Sequence, residues 1–117
     1  MSIRTEISSP TVSEPLERLG TLAGAVGTID CPLVRWLLSH FVNKADDNLE
    51  TALSLYRAGN TTQASIRVWI AKCQMCVSEF IVEIADWLDI LEEGFATTLL
   101  GQITAIQQTL NQILALL

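Results

Sequence analysis

The sequence has few basic residues, and its C-terminal segment has no charged residue at all. Lysine and arginine together number 7, against 13 aspartates and glutamates, which gives a formal net charge of -6. Nucleic-acid binding needs clustered basic side chains to neutralise phosphates, whereas the basic residues here are scattered. The sequence therefore argues against a nucleic-acid partner, and the same scarcity argues against an anionic membrane surface.

Segments that direct export or cross a bilayer are also missing. The first residues, Met-Ser-Ile-Arg-Thr-Glu, contain no apolar core of the length of a secretory signal. No window supplies the roughly 18 strongly apolar residues that span a membrane, because Gln and Asn interrupt the uncharged C-terminal segment. Three cysteines without a disulfide framework are typical of a reducing compartment. We expect a cytoplasmic protein with no integral membrane association.

Common catalytic residue combinations are absent as well. The chain has one histidine, no Ser or Cys placed beside a base, and no glycine-rich phosphate loop after a strand. The sequence therefore predicts a protein that is not an enzyme, and it indicates no cofactor.

Apolar residues at helical spacing, in contrast, are abundant. Half of the 117 residues are hydrophobic, which is enough for the core of one domain. No run alternates with the period of a strand. We expect an all-α, up-down helical bundle of three long helices plus a short N-terminal helix. In this prediction residues 1–13 form a flexible N-terminal segment, and residues 14–117 form a single helical-bundle domain.

Start and stop signals divide the chain into four helices. Ser13-Glu14-Pro15 predicts the start of a short first helix, and Asp30-Cys31-Pro32 predicts the start of the second. Gly59 suits the left-handed conformation that ends the second helix. A third helix should then run to about Glu93, and Gly94 should separate it from the fourth.

The third helix is the most apolar of the four. Its apolar residues recur by threes and fours, and they cover a wide arc of the helix surface. Such an arc predicts a central helix that contacts at least two others. The arc consists of Ile66, Trp69, Ile70, Cys73, Cys76, Val77, Phe80, Ile81, Ile84, Trp87, Leu88 and Leu91.

The second helix has a narrower apolar stripe that should also face the core. This inward stripe consists of Val34, Leu37, Phe41, Ala45, Leu49, Ala52 and Tyr56.

The fourth helix combines a regular apolar seam with an uncharged polar face. Its far face carries Thr, Gln and Asn, whereas interface cores disfavour Lys and Glu. We therefore expect this helix to have a partner, inside the subunit or across a homodimer interface, at a surface that includes Gln102, Gln107 and Asn111. The seam consists of Leu99, Ile103, Ile106, Leu110, Ile113 and Leu117.

A second candidate contact surface lies on the second helix. Trp36, His40 and Asn43 recur at helical spacing, away from the inward stripe. An indole on a polar face is unusual, and Trp is a common interface anchor. Three interpretations are open: the first helix covers Trp36, Trp36 contacts another molecule, or it lines a small-ligand pocket. We take these three residues as candidate partner-binding residues.

Two groups of side chains resemble parts of metal sites. Cys73 and Cys76 lie mid-helix, away from a helix N-terminus that would activate a thiolate, and a zinc site would need two further ligands at similar spacing. We interpret them as core thiols, with a metal or redox role as the alternative. The acids between Glu79 and Glu93 lack the Glu-x-x-His pattern of di-metal bundles. They form a solvated face or an acidic surface for a basic partner.

The sequence thus favours a non-enzymatic helical interaction or regulatory module that self-associates as a homodimer through its uncharged C-terminal helix. The alternative is a small-molecule or metal-binding bundle that uses interior groups such as Cys73, Cys76, Tyr56 and His40. A third hypothesis places the fourth helix in a membrane surface, but the scarcity of basic residues disfavours it.

Overall fold

A computed structural model of the protein describes residues 10–116, and within them the chain forms four helices and no strand. The helices are α1 (Pro10–Val26), α2 (Pro32–Arg57), α3 (Thr61–Trp87) and α4 (Phe95–Leu116). The prediction of an all-α bundle is confirmed.

Each helix packs against two others, so that the four form a closed ring. The close backbone approaches join α1 to α2, α2 to α3, α3 to α4, and α4 back to α1, so that α1 and α3, like α2 and α4, lie diagonally across the core. The connections between consecutive helices are short, which makes neighbouring helices antiparallel. The bundle is elongated, with extents of 47 × 21 × 18 Å.

The first helix begins earlier than the sequence predicted. It starts at Pro10 rather than near Glu14, and Pro15 lies inside it. Residues 10–13 are therefore helical, and the remainder of the segment that we predicted to be flexible lies outside the described residues.

The signals that bound α2 are confirmed in position, with one difference at its start. Pro32 is the first helical residue, but Cys31 rather than Asp30 occupies the N-cap position, and it makes no side-chain capping hydrogen bond. At the other end Gly59 has a φ of 86°. This left-handed conformation is easily adopted by glycine and turns the chain into α3.

The third helix ends at Trp87, before the predicted end at Glu93. The N–H of Ile90 donates to the carbonyl of Ala85 at 2.9 Å, which closes the last turn. Asp89 then adopts a φ of 58°, a left-handed conformation that Asp tolerates better than most residues. The acids that follow Trp87 therefore lie in the α3–α4 loop and not on a helix face.

The apolar seam of α4 is buried as predicted. Its side chains contact α1 and α3 and form one wall of the core. The last member of the predicted seam, Leu117, lies outside the described residues. The members that are at most 1% exposed are Leu99, Ile103, Ile106, Leu110 and Ile113.

The second half of the predicted inward stripe of α2 is confirmed, but at two positions of its first half the buried residue is the next one along the chain. Leu38 and Val42 are buried where we expected Leu37 and Phe41, which are half-buried instead. Both positions offer two adjacent apolar residues, so the apolar pattern alone does not choose between them. The predicted members that are buried are Val34, Ala45, Leu49 and Ala52.

The orientation of α3 is the main error of the sequence-based prediction. The aromatic residues that we expected in the core point away from it: Trp69, Phe80 and Trp87 are 58%, 61% and 83% exposed. The core side of α3 instead carries mostly small side chains. These buried residues are Ala64, Val68, Ala71, Met75, Ser78, Val82 and Ala85.

Small side chains on both helices explain this orientation. Ala45 and Ala52 on α2, like Ala64 and Ala71 on α3, are at most 3% exposed. Because the separation of two packed helices depends on the side chains at their contact, alanines on both sides allow close packing. Indole and phenyl rings at the same positions would force the helices apart.

Candidate interaction site

A continuous apolar face runs along α3 on the side away from the core. With 3.6 residues per turn, Trp69, Phe80 and Trp87 lie on the opposite side of the helix from Met75 and Val82. No charged residue lies among the members of this face. We call it the outward face and define it by its exposed residues: Ile66, Trp69, Cys76, Val77, Phe80, Ile84, Trp87 and Leu88.

The outward face is long as well as apolar. With half-buried Cys73 included, every member has another member three or four residues away, so their side chains are neighbours on the helix surface. At 1.5 Å per residue the stretch from Ile66 to Leu88 extends about 33 Å. It therefore covers most of the 47 Å length of the bundle.

The exposed area of the outward face is large for a single domain. Its three aromatic residues alone leave on the order of 300 to 500 Å² uncovered. The largest apolar patch on a typical monomer is about 300 to 600 Å² in total and often functional. The aliphatic members add further area, which makes this face the candidate functional site.

Charged residues border the outward face on the side of α4. Glu79 marks this border, because its carboxylate accepts a hydrogen bond of 3.0 Å from Nε2 of Gln107 on α4. Lys72 lies two turns before Glu79, and Asp86 lies two turns after it, so all three are on the same side of the helix. Glu83 and Asp86 are exposed. The border is thus basic toward one end of α3 and acidic toward the other.

A hydrogen-bonded group holds the opposite border of α3 to α2. Asn48 is buried, and its Nδ2 donates to Oε1 of Gln74 at 3.1 Å and to the carbonyl of Lys44 at 2.9 Å. Its Oδ1 accepts from Nη1 of Arg67 at 3.0 Å. These bonds fix α3 against α2 and so fix the direction in which the outward face points.

Trp36 on α2 is exposed, as an interface residue would be. It is 63% exposed, and its ring stacks on that of His40 with a centroid distance of 5.7 Å and an interplanar angle of 18°. The alternative in which α1 covers Trp36 is therefore wrong. Asn43, the third candidate on this side, is also exposed, and the proposal that the three bind a partner stays a prediction.

The three candidate residues on α4 have different surroundings. Gln107 binds Glu79 inside the subunit. Gln102 is half-buried, and its Oε1 has no hydrogen-bond partner among the described residues. Asn111 is exposed. Gln102 borders a groove of about 370 Å³ between α1 and α4, whose lining consists of Glu17, Arg18, Thr21 and Gln102.

The interior site of the alternative hypothesis does not assemble. Cys76 and His40 are exposed, while Cys73 and Tyr56 are half-buried, so the interpretation of Cys73 and Cys76 as core thiols is wrong. Cys76 Sγ accepts a long hydrogen bond of 3.6 Å from Gln107. These groups occupy surface positions on two helices instead of converging on one cavity.

The structure also shows an acidic cluster on α2 that was not predicted from the sequence. The carboxylates of Asp46, Asp47 and Glu50 approach within 4.8 Å of one another. Burial, followed by the charges of Glu50 and Asp47, raises the pKa of Asp46. The i, i+4 spacing of Asp46 and Glu50 was the available signal. Exposed acidic groups of this kind are common without an ion, so the cluster alone assigns no ligand.

Comparisons with known proteins assign this chain to no family. No protein-family model matches it, and neither a search of curated proteins nor one of solved structures finds a match. Within residues 10–116 no helix combines the length and apolarity that a bilayer span requires. The outward face of α3 is therefore the feature that carries a functional proposal.

Proposed function

We propose that the protein is a non-enzymatic interaction module that binds a protein partner through the outward face of α3. The supporting observation is the exposure of Trp69, Phe80 and Trp87 along one helix face. Aromatic residues, and Trp above all, are enriched among the residues that contribute most of the binding energy at interfaces.

The rigid packing of α3 in the bundle favours binding by its outward face. Its residues lie on a 27-residue helix that is packed against α2 and α4, and Asn48 fixes that helix through Gln74 and Arg67. A surface that is rigid before binding loses less conformational entropy when the complex forms.

The outward face of α3 is a better contact surface than the polar face of α4. The apolar seam of α4 is already buried in the core, and Gln107 already binds Glu79. A membrane-inserted α4 would have to withdraw that seam from the bundle. The exposed apolar area lies instead on α3, and burial of apolar area provides most of the driving force for association.

A cytoplasmic location is part of the proposal. Cys31, Cys73 and Cys76 are free thiols, and Cys76 is exposed. A reducing compartment maintains exposed thiols in this state.

Site-specific photo-crosslinking in the producing cells tests the proposed surface. A photoreactive benzoylphenylalanine in place of Phe80 should form crosslinks to protein, because the side chain would lie inside the interface. The same group in place of Ser54, which is exposed on α2, is the matched control. Crosslinking at position 80 that is no stronger than at position 54 would contradict the proposal.

A further inference from the structure

We infer that the partner on the outward face is a second copy of this chain, related by a two-fold axis between antiparallel α3 helices near Cys76 and Val77. This inference rests on the proposed function and names its partner. A two-fold interface requires a surface that is complementary to itself. The area, the order of side chains and the charges of the outward face each meet this requirement.

The available area matches what a stable dimer needs. A standard interface buries about 800 Å² on each partner. The aromatic residues of the outward face supply roughly half of that area, and Ile66, Val77, Ile84 and Leu88, each at least 40% exposed, supply more.

The spacing of the side chains suits a helix-to-helix contact. Ile66, Trp69, Cys73, Cys76 and Phe80 follow one another at intervals of 3, 4, 3 and 4. This interval pattern is typical of helices that pack side by side at a small crossing angle. In a dimer each copy would contribute one charge-free seam of this kind, and the two seams would pack against each other.

The order of large and small side chains is complementary to itself in the antiparallel direction. With the axis between Cys76 and Val77, Trp69 of one copy lies opposite Ile84 of the other. By the same symmetry Phe80 lies opposite Cys73, and Trp87 lies opposite Ile66. Each aromatic ring therefore meets a smaller side chain, which is the arrangement that close packing of two surfaces requires.

The charged border on the α4 side selects the antiparallel arrangement. A two-fold axis perpendicular to both helices keeps the two α4-side borders on the same side of the interface. Lys72 of one copy then lies at the level of Glu79 and Glu83 of the other. A parallel arrangement would instead place the two α4-side borders on opposite sides of the interface, so that Lys72 of one copy would not meet Glu79 or Glu83 of the other.

Sedimentation equilibrium of the full chain across a concentration series tests the dimer. The expected particle has twice the 12.8 kDa mass of the chain. Phe80→Glu should raise the dissociation constant at least tenfold, because a carboxylate would be buried in an apolar interface. Ser54→Glu, at an exposed position of α2 outside the outward face, is the control and should leave the dimer intact. Circular dichroism verifies that both variants keep their helical content.

Disulfide trapping with diamide tests the position of the axis. In the antiparallel arrangement the two Cys76 side chains lie next to the axis and within reach of each other, whereas Cys73 faces Phe80. A linked dimer should therefore form in the wild type and in Cys73→Ser, and it should be lost in Cys76→Ser. A linked dimer that persists in Cys76→Ser would overturn the proposed arrangement.

The combined results separate this inference from the proposed function. A protein that is monomeric at every concentration, but crosslinks from position 80 to a different protein, overturns the dimer and leaves the interaction module standing. Binding of the wild type to phosphatidylserine vesicles, with loss of binding in Phe80→Glu, overturns the dimer in favour of a lipid surface. A monomer that crosslinks to nothing overturns both proposals.

Discussion

At the scale of single residues, Asn48 shows how a buried polar group specifies the bundle. Its amide hydrogen bonds are satisfied by Lys44 and Gln74, and its oxygen is satisfied by Arg67. A sliding of α3 along α2 would break the bonds to Gln74 and Arg67 and leave Oδ1 of buried Asn48 without its partner, at a cost of about 1 to 3 kcal/mol. The burial of Asn48 was not foreseen, because asparagine is usually exposed and this one lies at the edge of an apolar stripe.

Asp46 leads to a prediction about pH dependence. Its pKa is raised by burial and by the charges of Glu50 and Asp47, so the folded protein binds this proton more tightly than the unfolded chain does. The stabilising contribution of this proton is fully present below the ordinary pKa of the carboxyl group, 3.8. The free energy of unfolding therefore decreases as the pH rises from below 3.8 through the raised pKa that Asp46 has in the folded protein. Asp46→Asn, which removes the charge, should stabilise the protein at neutral pH.

The expected gain is small and pH-dependent. Like charges at helical spacing cost about 0.2 to 0.5 kcal/mol, so thermal unfolding at pH 7 should show a rise in melting temperature of roughly 1 to 3 °C. At pH 3 the gain should disappear. Glu93→Gln, which removes one charge from the exposed α3–α4 loop, is the control. An equal gain in this control would attribute the effect to net charge and not to the cluster.

At the scale of helices, Leu110 tests the packing of α4. It is fully buried in the seam that faces α1 and α3. Leu110→Ala should lower the free energy of unfolding by about 2 to 5 kcal/mol, because it removes buried methyl groups and leaves a cavity. Urea denaturation measures this loss. Leu33→Ala, at an exposed position of α2, should change stability by less than about 0.5 kcal/mol, and similar losses in both variants would contradict the assignment.

The contrast between α4 and α3 shows what the sequence could predict. In α4 one side of the helix is apolar and the other is polar, so the buried seam from Leu99 to Ile113 was predicted correctly. In α3 both sides are apolar: Trp69 and Phe80 lie on one, and Val68 and Met75 lie on the other. Periodicity establishes that such a segment is helical, but it does not identify the side that faces the core.

The residues of the outward face were therefore recognised as one apolar set but assigned to the core, and the candidate partner-binding residues were placed on α2 and α4 instead. The available signal was the recurrence of small residues, Ala64, Ala71, Ser78 and Ala85, two turns apart. Small side chains at that spacing allow another helix to approach closely, and the packing of α2 against α3 depends on this approach. The position of Trp36 away from the inward stripe was predicted, since its neighbours along the same side are polar, but its exposure was left open.

At the scale of the whole molecule, α3 is unusual because its small side chains face the core and its large aromatic side chains face outward. Alanines occupy the core side, and two indole rings and a phenyl ring occupy the outer side. The isolated chain thus leaves in water an apolar area that association would bury. In the dimer that we propose, folding of the subunit and association of two subunits are coupled, since only the folded chain presents the outward face.

This coupling predicts that thermal stability depends on protein concentration. If only folded chains associate, each tenfold increase in concentration adds up to about 1.4 kcal/mol per dimer, which corresponds to a rise of about 3 to 5 °C in the melting temperature. Circular dichroism melts between about 1 µM and about 100 µM measure it. Trp87→Gln should reduce the dependence, because it removes the most exposed ring of the outward face, whereas Ser54→Gln, at an exposed position of α2, should preserve it. A wild-type melting temperature that does not change over this range would show that the outward face is not covered by a second copy.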